Sequence, residues 1–249
     1  ADLRDADLGG ARLRQATLRG ADLSRAKAPQ VLLDGACLDD AVLSGADLRG
    51  ARGLRASMRD AELERARLDG AALLECDADG ASFAYAVLDG ADLSRSSLRD
   101  ASFEGVLARR ARVESCRADG LRVSEGADLT DASFALSSLA GAQLQQALLT
   151  RARFLGCDLA GADLSEAAGV HVDLLGARLA GACLDGARLV EARLTSASLF
   201  EARLEGADLR GSDLRGAQVV AAQLWQAQLE GCRMDGADLA RSTLDPEGR

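Results

Sequence analysis

Written in fives, the chain begins ADLRD, ADLGG, ARLRQ, ATLRG, ADLSR, and that phase holds to Glu125. Gly126 is one extra residue. The phase then resumes as ADLTD, ASFAL, SSLAG and runs to STLDP. About 49 units follow one another with no unit-sized gap, which marks a repeat architecture. Each unit centres on a bulky residue, usually Leu, with a small residue, usually Ala, two positions before it. Residues two apart in an extended segment share a face, so both point one way and the polar residue between them points the other. The next pair comes five residues on, where a straight strand would send it to the opposite side, so the chain must turn within every unit. Gly, common at the last position of a unit, supplies a left-handed turn residue without strain. A helix loses on the same count, because a period of five walks its Leu stripe around by about 140° per unit.

At this point the chain resembles the pentapeptide-repeat family, whose A-[DN]-L-x-x unit is met by ADLRD, ADLGG, ADLSR, ADLRG and ADLTD. The resemblance covers essentially the whole sequence. It implies an all-β fold, a right-handed quadrilateral parallel β-helix with four units per coil. About 12 coils at ~4.8 Å would make a rod roughly 58 Å long. We expect one such β-helix over residues 1–249, with a one-residue phase shift at Gly126. Because the sequence starts at Ala1 inside a repeat, we expect it to be a fragment of a longer chain. Residues 245–249 are too short to cap the C-terminal end of such a solenoid, which a stacked fold requires.

The composition excludes several classes of function. No apolar run approaches the ~20 residues of a membrane span. The net charge is −9, yet 30 residues are basic, so direct nucleic-acid binding is not expected; no convergent polar set marks a ligand pocket, so no small-molecule substrate is expected either. There is one His, no Ser/His/Asp set and no glycine-rich phosphate loop, so no catalytic, cofactor or metal residues are assigned. The six Cys lack CxxC spacing. Cys76, Cys116, Cys157 and Cys232 fall at the small inward position, and Cys37 and Cys183 at the outward one. The expected compartment is the cytoplasm, unless a targeting segment lies outside the fragment.

Four departures from the rule stand out. The coil reading VLARR, ARVES, CRADG, LRVSE has Ala108, Val113, Ala118 and Val123 at its centres. Val106, Cys116 and Leu121 partly restore the volume, and the extra Gly reads as a β-bulge or as a kink in the rod. The same coil carries a basic belt, Arg109, Arg110, Arg112, Arg117 and Arg122. It is either a grip for a carboxylate- or phosphate-bearing partner or a solvated surface balanced by Glu104, Glu114, Asp119 and Glu125. Units AKAPQ, ARGLR and AAGVH lack a bulky centre and suggest dents or bulges. In the C-terminal half, the position after the central residue carries Leu155, Val170, Leu175, Val190, Phe200, Val220 and Trp225, a candidate interaction patch with an aromatic anchor. Residues twenty apart should stack, so Arg153, Asp173, Arg193, Asp213 and Arg233 form a charge ladder.

The expected function is a non-catalytic protein-interaction or scaffold solenoid, a repeat array of a larger bacterial protein, acting through a protein partner or self-association. The family resemblance carries an alternative. Some members are acidic rods that mimic DNA, bind gyrase and give quinolone resistance. That role needs a continuous negative surface, which an Arg/Asp ladder interrupts.

Overall fold

The repeat dictates which backbone groups meet. In a computed structural model of the protein, which describes residues 1–124 and 126–243, the outward residue before each centre pairs in parallel with the equivalent residue twenty positions on. Four stacks result, and we number the walls accordingly: Asp2, Asp22 and Val42 open the first wall, Asp7, Lys27 and Asp47 the second, Arg12, Leu32 and Arg52 the third, and Thr17, Cys37 and Ser57 the fourth. The chain is a right-handed quadrilateral β-helix. Each unit contributes inter-coil backbone hydrogen bonds, such as Leu3 N–H to Asp22 O at 2.7 Å and Asp22 N–H to Ala1 O at 2.9 Å. Most corners close on a three-residue backbone bond, such as Ala6 N–H to Leu3 O at 3.1 Å; at Cys76, Cys116 and Ala192 a serine hydroxyl of the next coil takes the N–H instead.

The corners correct the simple glycine rule. Among the described residues, the last residue of a unit is left-handed whatever its identity: 26 non-glycine residues, Asp5, Arg25 and Tyr85 among them, have φ near +60°, as do 22 glycines. Position in the turn decides the conformation, as at the third residue of a type II turn. Each non-glycine there carries a conformational cost that the inter-coil bonds offset.

Asp owes its frequency before the central residue to the same turn. Its carboxylate accepts the N–H of the residue two further on, as Asp22 does from Ser24 at 2.9 Å and Asp128 from Thr130 at 3.0 Å. An Asp just after the centre reaches to the next coil instead: Asp79 accepts from Arg99 N–H at 3.0 Å and Asp89 from Arg109 N–H at 3.0 Å. Both patterns satisfy corner donors that the wall ladder leaves over.

Ala and Leu fill the interior in columns that are almost wholly excluded from solvent. In the coil with small centres, Val123 stacks on Phe103 on the first wall and Val113 lies beneath Phe134 on the third; all four are fully buried. The phenylalanines of the neighbouring coils thus supply the missing volume. Phe83 and Phe103 meet edge to face at 5.2 Å, and Phe134 and Phe154 stack at 5.3 Å. Pairing runs at twenty residues up to this coil, at twenty-one from Leu107↔Asp128 through Arg122↔Gln143, and at twenty again from Asp128↔Leu148. One corner absorbs the extra residue, and all four walls stay paired across it. Glu125 and residues 245–249 lie outside the described residues.

Two of the units without a bulky centre are not dents. They are the extended segments β1 (Arg52–Leu54) and β3 (Ala168–Val170), each paired in parallel with the coil above, through β2 (Ala72–Leu74) and β4 (Arg188–Val190). In the third, Ala28 is buried and Pro29 takes the second position of its turn, where a fixed φ fits.

Cys76, Ser96, Cys116, Ser137 and Cys157 form one inward column. Ser96 Oγ accepts Cys76 N–H at 3.0 Å and donates to Leu73 O at 3.2 Å; Ser137 does the same for Cys116 at 2.9 Å and Val113 O at 2.7 Å. Polar atoms are therefore admitted to this core only where the backbone completes them. Burial pushes the thiols of Cys76 and Cys116 up to about 11 and that of Cys157 up to about 12. The thiolate is the reactive form, so at pH 8 these three should react with a maleimide at least about 100-fold more slowly in the folded protein than after unfolding. Peptide mapping of the labelled protein checks this, and rapid native labelling of any of the three would contradict it.

Candidate interaction surface

Side chains that leave the walls fall into fixed columns, so the surface can be built column by column. The ladder is present on the third wall as Arg153↔Asp173↔Arg193↔Asp213↔Arg233, with Arg193 at 3.7 Å from Asp173. Asp213 is held by Arg215 at 2.6 Å, which draws its carboxyl well below the usual carboxylate range. A second ladder runs along the edge of the fourth wall, where Arg99 grips Asp79 at 2.6 Å. Pairs this exposed contribute at most about 1 kcal/mol each. Their larger effect is to break the surface potential into alternating signs.

The basic belt lies within the same pattern. Arg109 pairs with Asp89 at 2.8 Å, Arg112 with Glu114 at 3.1 Å, and Arg122 lies 3.8 Å from Glu104. Arg110 and Arg117 are exposed. The five do not face one way: Arg122 sits on the first wall, Arg112 on the third and Arg117 on the fourth, while Arg109 and Arg110 occupy the corner after the second.

The seven residues of the apolar patch are separated by the fold. Leu155 and Leu175 lie at the edge of the third wall, Val170 and Val190 at the edge of the second, Phe200 and Val220 at the edge of the fourth, and Trp225 at the edge of the first. Each stack is real, as Val170↔Val190 shows, but four stacks on four edges are not one surface. Val170 and Phe200 are exposed and the other five are half-buried. Trp225 borders an open dent with Glu205, Gln223 and Thr243.

Sorting the exposed apolar residues by wall brings out a different grouping. The outward row of the second wall reads Val87, Leu107, Asp128, Leu148, Ala168. Leu107 is 39% exposed and Leu148 45%; Val170, on the far edge of that wall, is 43% exposed and Tyr85, on the near edge, 46%. Thr130 and Thr150 complete the edge between Arg109 and Val170. The near edge carries a strained residue too: Tyr85 has φ +58°, its ring lies over Gly105, and the Arg65 guanidinium stands 5.6 Å from the ring centroid. This strip was legible in principle. It appears when the residues before each centre are aligned twenty apart, with one residue added after Gly126, rather than when the residues after each centre are scanned.

His171 is exposed and lies 3.3 Å from Glu191. Among the described residues no group of three or more His, Cys, Asp or Glu is arranged to hold a metal, and no helix is long and apolar enough to cross a membrane.

A family model described as pentapeptide repeats matches in eight copies, over residues 1–35, 36–73, 76–113, 127–166, 157–195 and 177–216. Among solved structures, the chain is similar to HetL, a pentapeptide repeat protein involved in heterocyst differentiation regulation from the cyanobacterium Nostoc sp. strain PCC 7120. The identity is 27%, over 100% of this chain and 90% of that one, with a TM-score of 0.36. It is also similar to full-length QnrB1, a plasmid-mediated fluoroquinolone resistance protein. There the identity is 18%, over 71% of this chain and 94% of that one, with a TM-score of 0.56. The second likeness is one of fold. No curated protein sequence matches the chain.

Proposed function

Because the chain belongs to the pentapeptide repeat family, we propose that it is a non-catalytic protein-interaction and scaffold rod that binds through its second wall. The observation that carries this is the apolar strip of Leu107, Leu148 and Val170, flanked by Tyr85; the other exposed large apolar residues, Leu54, Leu136 and Phe200, stand apart from one another on the third and fourth walls, among ion pairs. Large apolar side chains gathered on one face of a solenoid mark an interface. A flat paired wall holds them in place at little further entropic cost.

A DNA-mimicking gyrase binder is the poorer account. Such a rod needs an unbroken negative surface, whereas Arg4, Arg25, Arg49, Arg99, Arg151 and Arg215 each hold a carboxylate at 2.8 Å or less along this one.

A photo-cross-linking side chain at Thr150, on the edge of the second wall, should trap protein in an extract of the native host, and one at Ser198, on the fourth wall, should not. Adding Leu107→Ser, Leu148→Ser and Val170→Ser should abolish the Thr150 adducts while circular dichroism stays unchanged. Equal trapping from both positions, or adducts that survive the triple change, would overturn the assignment of the wall.

A further inference from the structure

We infer that the second wall pairs with the second wall of another copy of this chain, the two rods running antiparallel. The inference rests on the interaction reading above and adds the identity of the partner. The argument comes from the charges that bracket the apolar strip. Towards the N-terminus the wall carries Arg67 and Asp69 on one coil and Asp47 and Arg49 on the coil before it; towards the C-terminus it carries Asp208 and Arg210, then Gln228 and Glu230.

A half-turn about an axis lying across the wall, between the rows of Asp128 and Leu148, superposes each row on its mirror row of the other copy. Arg67 then faces Asp208, Asp69 faces Arg210, and Arg49 faces Glu230. By symmetry each pair occurs twice. Between them Leu107 lies over Ala168, Leu148 over Asp128, Val170 over Arg109 and Thr130 over Thr150, with Arg188 over Val87, beside Asp89. The rows of Arg67 and Asp208 are about 34 Å apart at ~4.8 Å per coil, so opposite charges clamp both ends of the apolar centre. Asp128, facing Leu148, already accepts the Thr130 N–H and lies 3.9 Å from Arg109.

The register is specific. A shift of one coil in one direction sets Asp47 against Asp208, Arg49 against Arg210 and Arg67 against Arg188. A shift in the other direction sets Asp69 against Glu230. Like charges brought together this way discriminate strongly against the wrong alignment. A parallel pairing lays Leu107 over Arg109 and Val87 over Asp89 when its axis runs along the edge of the row; when the axis runs along the row itself, Leu107 meets Leu107, but Arg67 meets Arg67, Asp128 meets Asp128, Arg188 meets Arg188 and Asp208 meets Asp208. Asp69 fits the antiparallel arrangement in a further respect. Among the described residues its one ion pair is to Arg67 at 3.4 Å; the opposing Arg210 would add a second cation beside the exposed part of its carboxylate.

The experiment is sedimentation equilibrium of the purified chain and its charge variants, with circular dichroism on each. Wild type should dimerise, and Leu148→Asp should be monomeric. Asp69→Arg and Arg210→Asp should each weaken the dimer at least about tenfold, since each change sets two like-charge pairs in opposition. Combined in one chain, the two changes should restore affinity to near the wild-type value. Arg49→Glu with Glu230→Arg provides an independent swap should either first variant misfold. A monomeric wild type overturns the inference, and the interaction reading then stands or falls separately on the Thr150 adducts. Rescue of Asp69→Arg by Arg67→Asp instead of Arg210→Asp would indicate a parallel dimer and equally overturn it.

Discussion

Leu184→Asp should prevent the rod from folding around its tenth coil, while Asp185→Ser, one residue on, should cost about 1 kcal/mol. Leu184 is fully buried in the inward column of the first wall, beneath Leu204 and above Leu164. A carboxylate there has no water and no cation within the interior, and an uncompensated buried charge costs roughly 3–5 kcal/mol. Because each coil touches only its neighbours, the loss should appear as a local break: amide exchange should accelerate in coils next to residue 184 before it does near Leu63. Asp185 points outward. It is more than a bystander, since its Oδ1 accepts Glu205 N–H at 2.9 Å and its other oxygen pairs with Arg203. Serine keeps part of that bonding and loses the charge. Denaturant titration of both variants checks the contrast. Equal losses at 184 and 185 would mean that the inward and outward positions have been exchanged.

The contrast between these neighbours also measures what the sequence makes legible. A strict alternation of small, polar and bulky residues is enough to tell inside from outside at nearly every unit, and the twenty-residue stacking follows once four units close a coil. Ala36, Leu38 and Leu184 needed no structure to be placed. The outer surface is different. Whether two exposed residues belong to one patch depends on which of four walls each occupies, and the extra residue at Gly126 shifts that assignment for everything after it. Leu155, Phe200 and Trp225 look alike in the repeat and stand on three different edges. Leu107 and Leu148 are 41 residues apart in sequence, occupy the position before the centre, and fall two coils apart on one wall.

The turn chemistry was only half legible for a related reason. Glycine is frequent at the end of a unit because it is left-handed at no cost, but the conformation belongs to the position. Arg25, Glu75 and Leu136 adopt it too. What holds all three there is the bond from their own N–H to the next coil, as at Arg25, whose N–H donates to Ser44 O at 2.9 Å, and at most corners a second backbone bond within the turn. Residue type at that position therefore carries less information than the spacing.

Two glycines sit at the centre of a unit rather than at its end, and they should respond in opposite ways to a single added methyl. At Gly169, in β3, a Cβ would lie 2.6 Å from Leu149 C and 2.8 Å from Thr150 N. Those atoms are the peptide of the coil beneath, itself tied into the wall by Leu149 N–H to Ala168 O at 2.7 Å. Neither side can yield without breaking the ladder, so Gly169→Ala should destabilise by roughly 3 kcal/mol or more, at the upper end of overpacking penalties. At Gly53, in β1, the nearest atom to an added Cβ is Leu73 Cδ2 at 3.1 Å, followed by Leu33 Cβ at 3.4 Å. A leucine methyl can rotate aside, and the new carbon fills space in an interior that lacks a bulky centre at this level. Gly53→Ala should therefore change stability by less than about 1 kcal/mol. Thermal or denaturant unfolding of the two variants side by side checks the prediction. A tolerated alanine at 169 would mean that the wall can move outward there, and that β3 is extended for some reason other than the absence of a side chain.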